Sequence, residues 1–466
     1  MTPSSHGLTI IANRLPVQRV EHKDGFRWQT SPGGLVSSMI PVLRQGGRWI
    51  GWGGSHTQSL QPFRHEDIDL IPVSLQPEEV EHYYSGFSNR TLWPLFHDAL
   101  RPPEFHRRWW RSYQNVNRKF AKIAAENMDP SGTCWVHDFH LQLLPSLLRE
   151  QHPRAKIGFF LHIPFPPTEL FAQLPWRVHL LEGMLGASLI GFQTPFGASN
   201  FRNVAERFLG AELDGDDIYY RGRKTKTGSF PISIDTESFE EMTRRPSIQA
   251  MARELRADLG GNRKILLGID RLDYTKGIDM RLRAIETLLI ANPNLAKEFV
   301  FIQVGVPSRE NVPDYEELRS RIESIVGRIN GRFGEPGRVP VQYLYRNLPI
   351  QSLVSYYMAA DIMVITPLRD GMNLVAKEYV ASKTNNEGCL ILSEFTGAAN
   401  EFQEALLVNP HDLDGVANTL YQAIKMGTAE GRRRMLSLRH KLHRNNVFHW
   451  SKNFLESLGE LEVVRV

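Results

Sequence analysis

The stretch DIMVITPLRDGMNLVAKEYVASK, residues 361–383, decides how the rest of the chain is read. It opens on the apolar residues Ile362 to Ile365, too short a run for a helix and apolar on both faces, as suits a strand covered on both sides. It closes on LVAKEYVASK, which reads as a helix. Between them Arg369, Asp370, Gly371 and Asn373 share a strand-to-helix loop. In open α/β sheets, ligands collect outside the carboxyl ends of the strands. Gly371 allows close approach of main chain, and the helix start offers unpaired N–H groups to an anion, for which phosphate is the natural guest. Glu378 lies four residues after Leu374 on the same helix face. A carboxylate there either accepts both hydroxyls of a ribose or pairs on the surface with a neighbouring lysine.

Outward from this stretch, short apolar runs recur with helical patterns between them: LTIIA (8–12), CWV (134–136), KIGFFLH (156–162) and SLIGF (188–192), then KILLGI (264–269), FVFIQV (299–304), VQYLY (341–345) and GCLILS (388–393). Such runs suit central parallel strands, so the fold class is α/β with two Rossmann-like, doubly wound domains. The series divides near residue 235. There GSFPISIDTESFE (228–240) reads as a strand and a turn, and MTRRPSIQAMARELRADLGGNRK (242–264) as one charged helix closed by Gly260 and Gly261. We expect domains at 1–236 and 237–445, with 446–466 a C-terminal helix packing back on the first. Two carboxyl edges facing each other would make a cleft.

Bulk properties narrow the function classes. A chain of 466 residues exceeds one ordinary core. Hydrophobic residues make up 41% and charged residues 23%, the balance of a globular enzyme rather than of a disordered chain or a coiled coil. Lys plus Arg is 55 against 51 for Asp plus Glu, a formal +4 too small and dispersed to direct the protein to nucleic acid. Cys134 and Cys389 form no C-x-x-C pair, which excludes a cysteine zinc cluster and argues against a disulfide framework. MTPSSHGLTIIANR carries a five-residue apolar run in place of a signal-peptide core. No stretch nears the roughly 18 apolar residues that span a bilayer. We therefore expect a cytoplasmic protein that meets no membrane; the sequence leaves a homo-oligomer open.

A second loop points to the same chemistry as the first. GIDRLDYTKGIDMRL (268–282) places Arg271 and Lys276 after KILLGI. An arginine fork and a lysine point charge can neutralise a diphosphate, each charge-assisted bond being worth on the order of 1.5–3 kcal/mol; surface ion pairs are the competing reading. IIANRLP (10–16) ends a strand on Arg14 and VPSRE (306–310) puts Arg309 after FVFIQV, so the two could reach one anion from opposite walls of the cleft. SPGGLVSSM (31–39) opens a helix on Gly33 and Gly34 without the spacing of a dinucleotide fingerprint or a Walker loop.

WVHDFHLQLLP (135–145) and FLHIPFP (160–166) set Asp138 and His162 at the ends of successive strands. His137, Asp138 and His140 have poor zinc spacing, and His162 by itself reads more readily as a satisfied core histidine than as a functional one. Asp-x-Asp, a metal signature of some sugar transferases, occurs at Asp67/Asp69, Asp214/Asp216 and Asp412/Asp414, too often to inform. DLDGV (412–416) imitates an aspartyl-phosphate nucleophile motif, but NPHDLDGVANTLYQA (409–423) reads better as a loop and a capped helix. HRRWWRSYQNVNRKF (106–120) reads as a solvated amphipathic helix in preference to a binding patch.

Taken together, ANRLPV, GGLVSSM, YYSGFSNRTLWPLFH, WVHDFHLQLLP, IGFFLHIPFP, DRLDYTKGI, VPSRENVPDYEELR, VGRINGRFG, TPLRDGMNLVAKEYVASK and LSEFTGAANEF make the chain resemble the α,α-trehalose-phosphate synthases over about residues 8–460. These are retaining sugar transferases of the two-domain GT-B fold. The resemblance implies transfer of glucose from a nucleoside diphosphate glucose, usually UDP-glucose, to glucose 6-phosphate, with no metal and no other cofactor. It implies an acceptor phosphate met by Arg14, Tyr84 and Arg309, an acceptor hydroxyl held by Asp138, and an acceptor sugar walled by Trp93. On the donor side it implies Gly33 and Gly34 near the nucleotide sugar and Arg271 and Lys276 on its diphosphate. Gly371, Met372 and Asn373 would present N–H groups, and Leu374, Val375, Ala376, Lys377 and Glu378 would meet phosphates and ribose. His162 and Asp370 would touch the transferred glucose. Position 348 is Leu where some relatives carry an aromatic near the base.

Retaining glycosidases commonly use two carboxylates, and no such pair stands out here. The resemblance implies front-face transfer, with Asp138, His162, Arg271, Lys276 and Asp370 as the catalytic set. A sister transferase acting on glycerol 3-phosphate or a cyclitol phosphate, and a catalytically silent sugar-phosphate sensor, are the alternatives. A dinucleotide-dependent oxidoreductase is disfavoured by the absent G-x-G-x-x-G.

Overall fold

The computed structural model describes residues 7–22, 25–31, 33–43, 46–54, 60–308 and 313–461. They form two compact units: one of the described residues up to Ile232 together with those from Val447, the other of Ser233–Asn446. No helix among the described residues is long and apolar enough to cross a membrane.

The first unit carries twelve strands: β1 (Leu8–Arg14), β2 (Val17–His22), β3 (Gly25–Thr30), β4 (Gly47–Trp52), β5 (Phe63–His65), β6 (Ile68–Val73), β7 (Thr133–His137), β8 (Lys156–Phe160), β9 (Leu189–Phe192), β10 (Glu212–Asp214), β11 (Asp217–Tyr220) and β12 (Arg223–Ser229). Ten of them make one sheet in the order β10-β11-β12-β9-β8-β7-β1-β4-β6-β5, and β2 and β3 pair as a separate antiparallel ribbon. The sheet is parallel from β12 to β6, with antiparallel margins. Strand order reverses at β1, whose neighbours are β4 and β7, so the loops after these three strands flank a switch point. In β1 every residue is buried except Arg14, which ends it.

The helix Val447–Gly459 packs on this unit. Phe454 stacks on Trp135 at 4.4 Å, and the indole of Trp450 donates to the carbonyl of Phe230 at 3.1 Å. Gly158 and Gly191 make the room: a Cβ on either would stand within 2.8 Å of the Phe454 ring.

The second unit carries β13 (Lys264–Arg271), β14 (Phe299–Val306), β15 (Val341–Tyr345), β16 (Ile362–Ile365), β17 (Cys389–Ser393) and β18 (Leu406–Val408). All pair in parallel, in the order β15-β14-β13-β16-β17-β18. Counted along the chain this is 3-2-1-4-5-6, the Rossmann order, with its switch point between β13 and β16. Those two strands pair only at Leu266–Ile362 and Leu267–Met363. No further residues of the two strands pair toward their carboxyl ends, where ligands collect in open sheets of this order.

Two sequence expectations need correction, and several strands were not anticipated. The charged helix expected after residue 242 is two, Thr236–Arg244 and Pro246–Leu255, because Pro246 lacks an N–H and forces Arg245 into an extended conformation. The strand and turn expected at 228–240 are the end of β12 and, from the cap Asp235 onward, a helix. Strands β2 to β6, β10, β11 and β18 went unread; of these the margins β5, β10 and β11 are three or four residues long and show no apolar run. The segment 106–120 does form a helix, Arg107–Asn127, which buries Trp109, Trp110, Tyr113, Val116 and Phe120.

Candidate active site

In the second unit the loops that follow β13 and β16 touch each other. The loop after β13 turns through Asp273, whose buried carboxylate accepts the N–H and the hydroxyl of Thr275 at 3.0 and 2.9 Å. It ends on Gly277 at φ 60°, where a Cβ would lie 2.6 Å from the carbonyl oxygen of Thr366. From the other side, Leu368 N–H donates to the Thr275 carbonyl at 2.8 Å. The Lys276 ammonium then meets the Asp370 carboxylate at 2.7 Å, with the two side chains 11% and 15% exposed. Two loops 94 residues apart in sequence thus bring a cation and an anion together at the switch point.

Asn373 organises the start of the next helix, Leu374–Ser382. It sits at φ 85°, its side-chain oxygen caps Ala376 N–H at 3.1 Å, and its amide donates to Asp370 at 3.1 Å. Asparagine tolerates this left-handed backbone better than most residues, and its short side chain can serve cap and neighbour at once. One turn along, Glu378 accepts a 2.7 Å hydrogen bond from the hydroxyl of buried Tyr357. Burial raises the Glu378 pKa, and the Tyr357 bond opposes that rise. Lys377 points elsewhere: its fully buried ammonium pairs with Glu401 at 2.9 Å, so toward a ligand it has only its main chain to offer. Arg271 closes β13 as an exposed residue.

The first unit builds a second polar cluster at the carboxyl ends of β1, β4 and β7. The Arg14 guanidinium lies 4.5 Å from the ring centre of Trp52 and 5.5 Å from that of Tyr84. Tyr84 stacks in turn on His140 at 5.8 Å. Cation–π contacts hold the guanidinium plane while leaving its edges for an anion. Asp138 takes φ 75°, an unusual conformation for a residue with a side chain, and its carboxylate accepts the main-chain N–H of His162 at 3.2 Å. Trp93 is buried, its ring 4.1 Å from that of His97 and 5.7 Å from that of Phe139.

The state of His162 can be read from its neighbours. The Gln193 side-chain oxygen accepts Ile232 N–H at 3.0 Å, so its amide NH₂ faces His162 Nδ1 at 3.4 Å. Nδ1 is then an acceptor, and the ring proton on Nε2 points at His137 Nδ1, 3.0 Å away. Burial holds the His162 pKa down to about 3 and that of His137 well below its usual value, so both rings are neutral. Both nitrogens of His162 are thereby engaged, and a bond from it to a sugar hydroxyl requires exchanging one of them.

The expected residues thus gather in two groups: Arg14, Tyr84, Trp93, Asp138 and His162 in the first unit, and Arg271, Lys276, Asp370 and the segment Gly371–Glu378 in the second. Gly33 and Gly34 are exposed at the start of the helix Gly34–Val42 in the first unit. Leu348 follows β15, two strands from the switch point, and lines a cavity of about 390 Å³ with Asn347, Ser352, Tyr356 and Leu255. Arg309 lies outside the described residues. Each Asp-x-Asp pair has an ordinary structural place: Asp67 lies 3.6 Å from Arg64, Asp216 pairs with Arg202 at 2.9 Å, and Asp412 caps a helix. Among the described residues no group of three or more His, Cys, Asp or Glu is arranged to hold a metal ion. Sequence reasoning missed Trp52, Gln193 and Tyr357 and weighed His140 only as a metal ligand; the partners of all four lie far away along the chain.

A sequence model described as glycosyltransferase family 20 matches residues 6–460. The chain is 48% identical to the trehalose-6-phosphate synthase of Mycobacterium avium (strain 104), over 97% of this chain and 95% of that protein. It is similar to a crystal structure of the α,α-trehalose-phosphate synthase (UDP-forming) from Burkholderia xenovorans in complex with glucose 6-phosphate, with a TM-score of 0.89, 33% identity, and 97% and 99% of the two chains covered. It is equally similar to the E. coli structure bound with UDP-2-fluoro glucose, with a TM-score of 0.88, 33% identity and the same coverage.

Proposed function

Given that the chain belongs to glycosyltransferase family 20, we propose that it transfers glucose from UDP-glucose to glucose 6-phosphate, giving α,α-trehalose 6-phosphate and UDP. The two Rossmann-like units are those of the GT-B transferases. The observation that carries the reading is the Lys276–Asp370 pair at the switch point of the second sheet, with Glu378 on the helix that follows. An ammonium has three donors, so Lys276 can hold Asp370 and still meet a phosphate oxygen. Arg271 adds a second cation, the start of the helix at Leu374 adds unpaired main-chain N–H groups, and Glu378 takes the ribose diol. Asp370 and His162 orient the glucose. On the acceptor side Arg14, aligned by Trp52 and Tyr84, and Arg309 bind the phosphate; Trp93 walls the sugar and Asp138 holds a hydroxyl.

The reaction proceeds on one face of the donor. The bond from the anomeric carbon to the β-phosphate oxygen breaks, the acceptor's anomeric hydroxyl bonds to that carbon from the same side, and its proton passes to the departing phosphate oxygen. Arg271 and Lys276 compensate the growing charge of the leaving diphosphate, so neither a carboxylic acid nor a metal is required. Orientation of both sugars supplies a further large part of the barrier reduction. We also assign the enzyme to the cytoplasm, a reading that the free thiols of Cys134 and Cys389 support.

The test is an assay of the purified protein with glucose 6-phosphate and UDP-, ADP- or GDP-glucose, with UDP release followed and the product's linkage read by NMR. The expected product is α,α-linked and forms fastest from UDP-glucose, at a rate that EDTA leaves unchanged. Glycerol 3-phosphate outcompeting glucose 6-phosphate would instead favour the sister transferase, and absence of turnover the sensor.

A further inference from the structure

Behind these two loops lies a buried network for which the transfer reaction itself has no use. Arg281, on the helix Ile278–Ala291, is 1% exposed. Its guanidinium donates to Asp270 at 2.5 Å, to Gln303 at 2.8 Å, to the Thr366 hydroxyl at 2.9 Å and, more loosely, to the main-chain carbonyl of Lys276 at 3.4 Å. Gln303 closes the circuit by donating to Asp270 at 3.3 Å. These partners are the penultimate residue of β13, a residue in the middle of β14, the first residue after β16 and the loop that presents the diphosphate-facing ammonium. β13 gives way for the group: a Cβ at Gly268 would lie 2.5 Å from the Gln303 oxygen and 2.7 Å from Arg281 Nη1.

A buried ion pair is a poor source of stability, because the cost of desolvating two charges offsets their attraction, and apolar residues of similar volume usually do as well. What such a network does supply is geometry. A planar fork with several donors permits one arrangement of its acceptors, whereas an apolar plug permits many. β13 and β16 pair at only two positions, so their ladder leaves the loop ends undetermined.

We propose that Arg281 is a positioning residue for glucosyl transfer, setting the separation of the 271–277 and 366–373 loops so that the Lys276 ammonium meets the donor diphosphate. It touches no substrate and acts through Lys276. This rests on the reading that Lys276 compensates the leaving diphosphate, and the experiment keeps the two apart.

The variants are Arg281→Lys, Thr366→Val, Lys276→Ala and the Arg281→Lys/Lys276→Ala double, each made in the full chain. Thermal midpoints and kcat and KM for both substrates are measured well below the lowest midpoint. Arg281→Lys is expected to lower kcat about 10- to 100-fold and to raise KM for UDP-glucose severalfold, with KM for glucose 6-phosphate unchanged. Thr366→Val, which keeps the side-chain shape, is expected to lose about 3- to 10-fold in kcat and carries the test if Arg281→Lys does not fold. In the Lys276→Ala background Arg281→Lys should cost less than threefold more, because both changes disable one element. Fully additive losses, or lowered midpoints with unchanged kinetic constants, would overturn the proposal and leave the donor-site reading standing. Near-normal turnover of Lys276→Ala would overturn that reading first.

Discussion

Two side chains show how a neighbour sets the chemistry of a functional group. Burial raises the Glu378 pKa and the Tyr357 hydroxyl opposes the rise, so Tyr357→Phe should raise it further. In its proposed role Glu378 must be ionised to accept two ribose hydroxyls, so donor binding should weaken as pH falls through its pKa. The acid limb of a plot of KM for UDP-glucose against pH should therefore move to higher pH in Tyr357→Phe, while KM for glucose 6-phosphate is unmoved; coincident limbs would remove Glu378 from the donor site. His162 works in the other direction. Its folded pKa is about 3, whereas an unfolded histidine titrates near 6.5, so between those values the unfolded chain binds more protons. The contribution is full above about pH 6.5 and is lost as pH falls, by roughly 2 kcal/mol between pH 6.5 and 5. Urea midpoints over that range should decline in the native protein and decline less in His162→Gln; parallel curves would count against a neutral buried ring.

At the scale of elements, the loop that ends on Gly277 depends on close approach as well as on backbone angle. Gly210 and Gly277 have nearly the same φ, 64° and 60°, but a Cβ at Gly210 meets nothing within 4 Å, while at Gly277 it lies 2.6 Å from the Thr366 carbonyl. Gly210→Ala should cost only the left-handed strain, about 1–2 kcal/mol, and leave kcat intact. Gly277→Ala must in addition push the 366–373 loop away and should lower kcat for glucosyl transfer at least tenfold. Equal effects of the two substitutions on denaturation midpoint and on kcat would show that the loop contact is immaterial. The same element scale marks how far the sequence could be read. The helix from Leu374 was legible because Asn373 and the apolar run before it carry local signals of cap and strand. The break at Pro246 was legible in principle, since proline ends a helix at its predecessor, yet the charged pattern on either side of it reads as continuous.

For the whole molecule, the two cysteines make separate reporters, Cys134 on β7 in the first unit and Cys389 on β17 in the second. Burial pushes both thiols up to about 12. The native protein should therefore leave an aromatic disulfide reagent unreacted, release two thiols on denaturation and, as Cys134→Ala or Cys389→Ala, report the opening of one unit at a time. Rapid labelling of either thiol in the native state would contradict its burial. By itself the sequence determined the α/β class, the carboxyl-edge loops and most of the polar residues in them, because strand runs, caps and glycines are signals within a few neighbouring residues. Only the tertiary structure decided that Lys276 meets Asp370, that Tyr357 holds Glu378, that Lys377 turns away to Glu401 and that Arg281 ties the ends of β13 and β16 to the middle of β14. Each of those pairings joins residues brought together by strand order or helix packing, and strand order is settled by the summed burial of whole faces rather than by any pattern a local window contains.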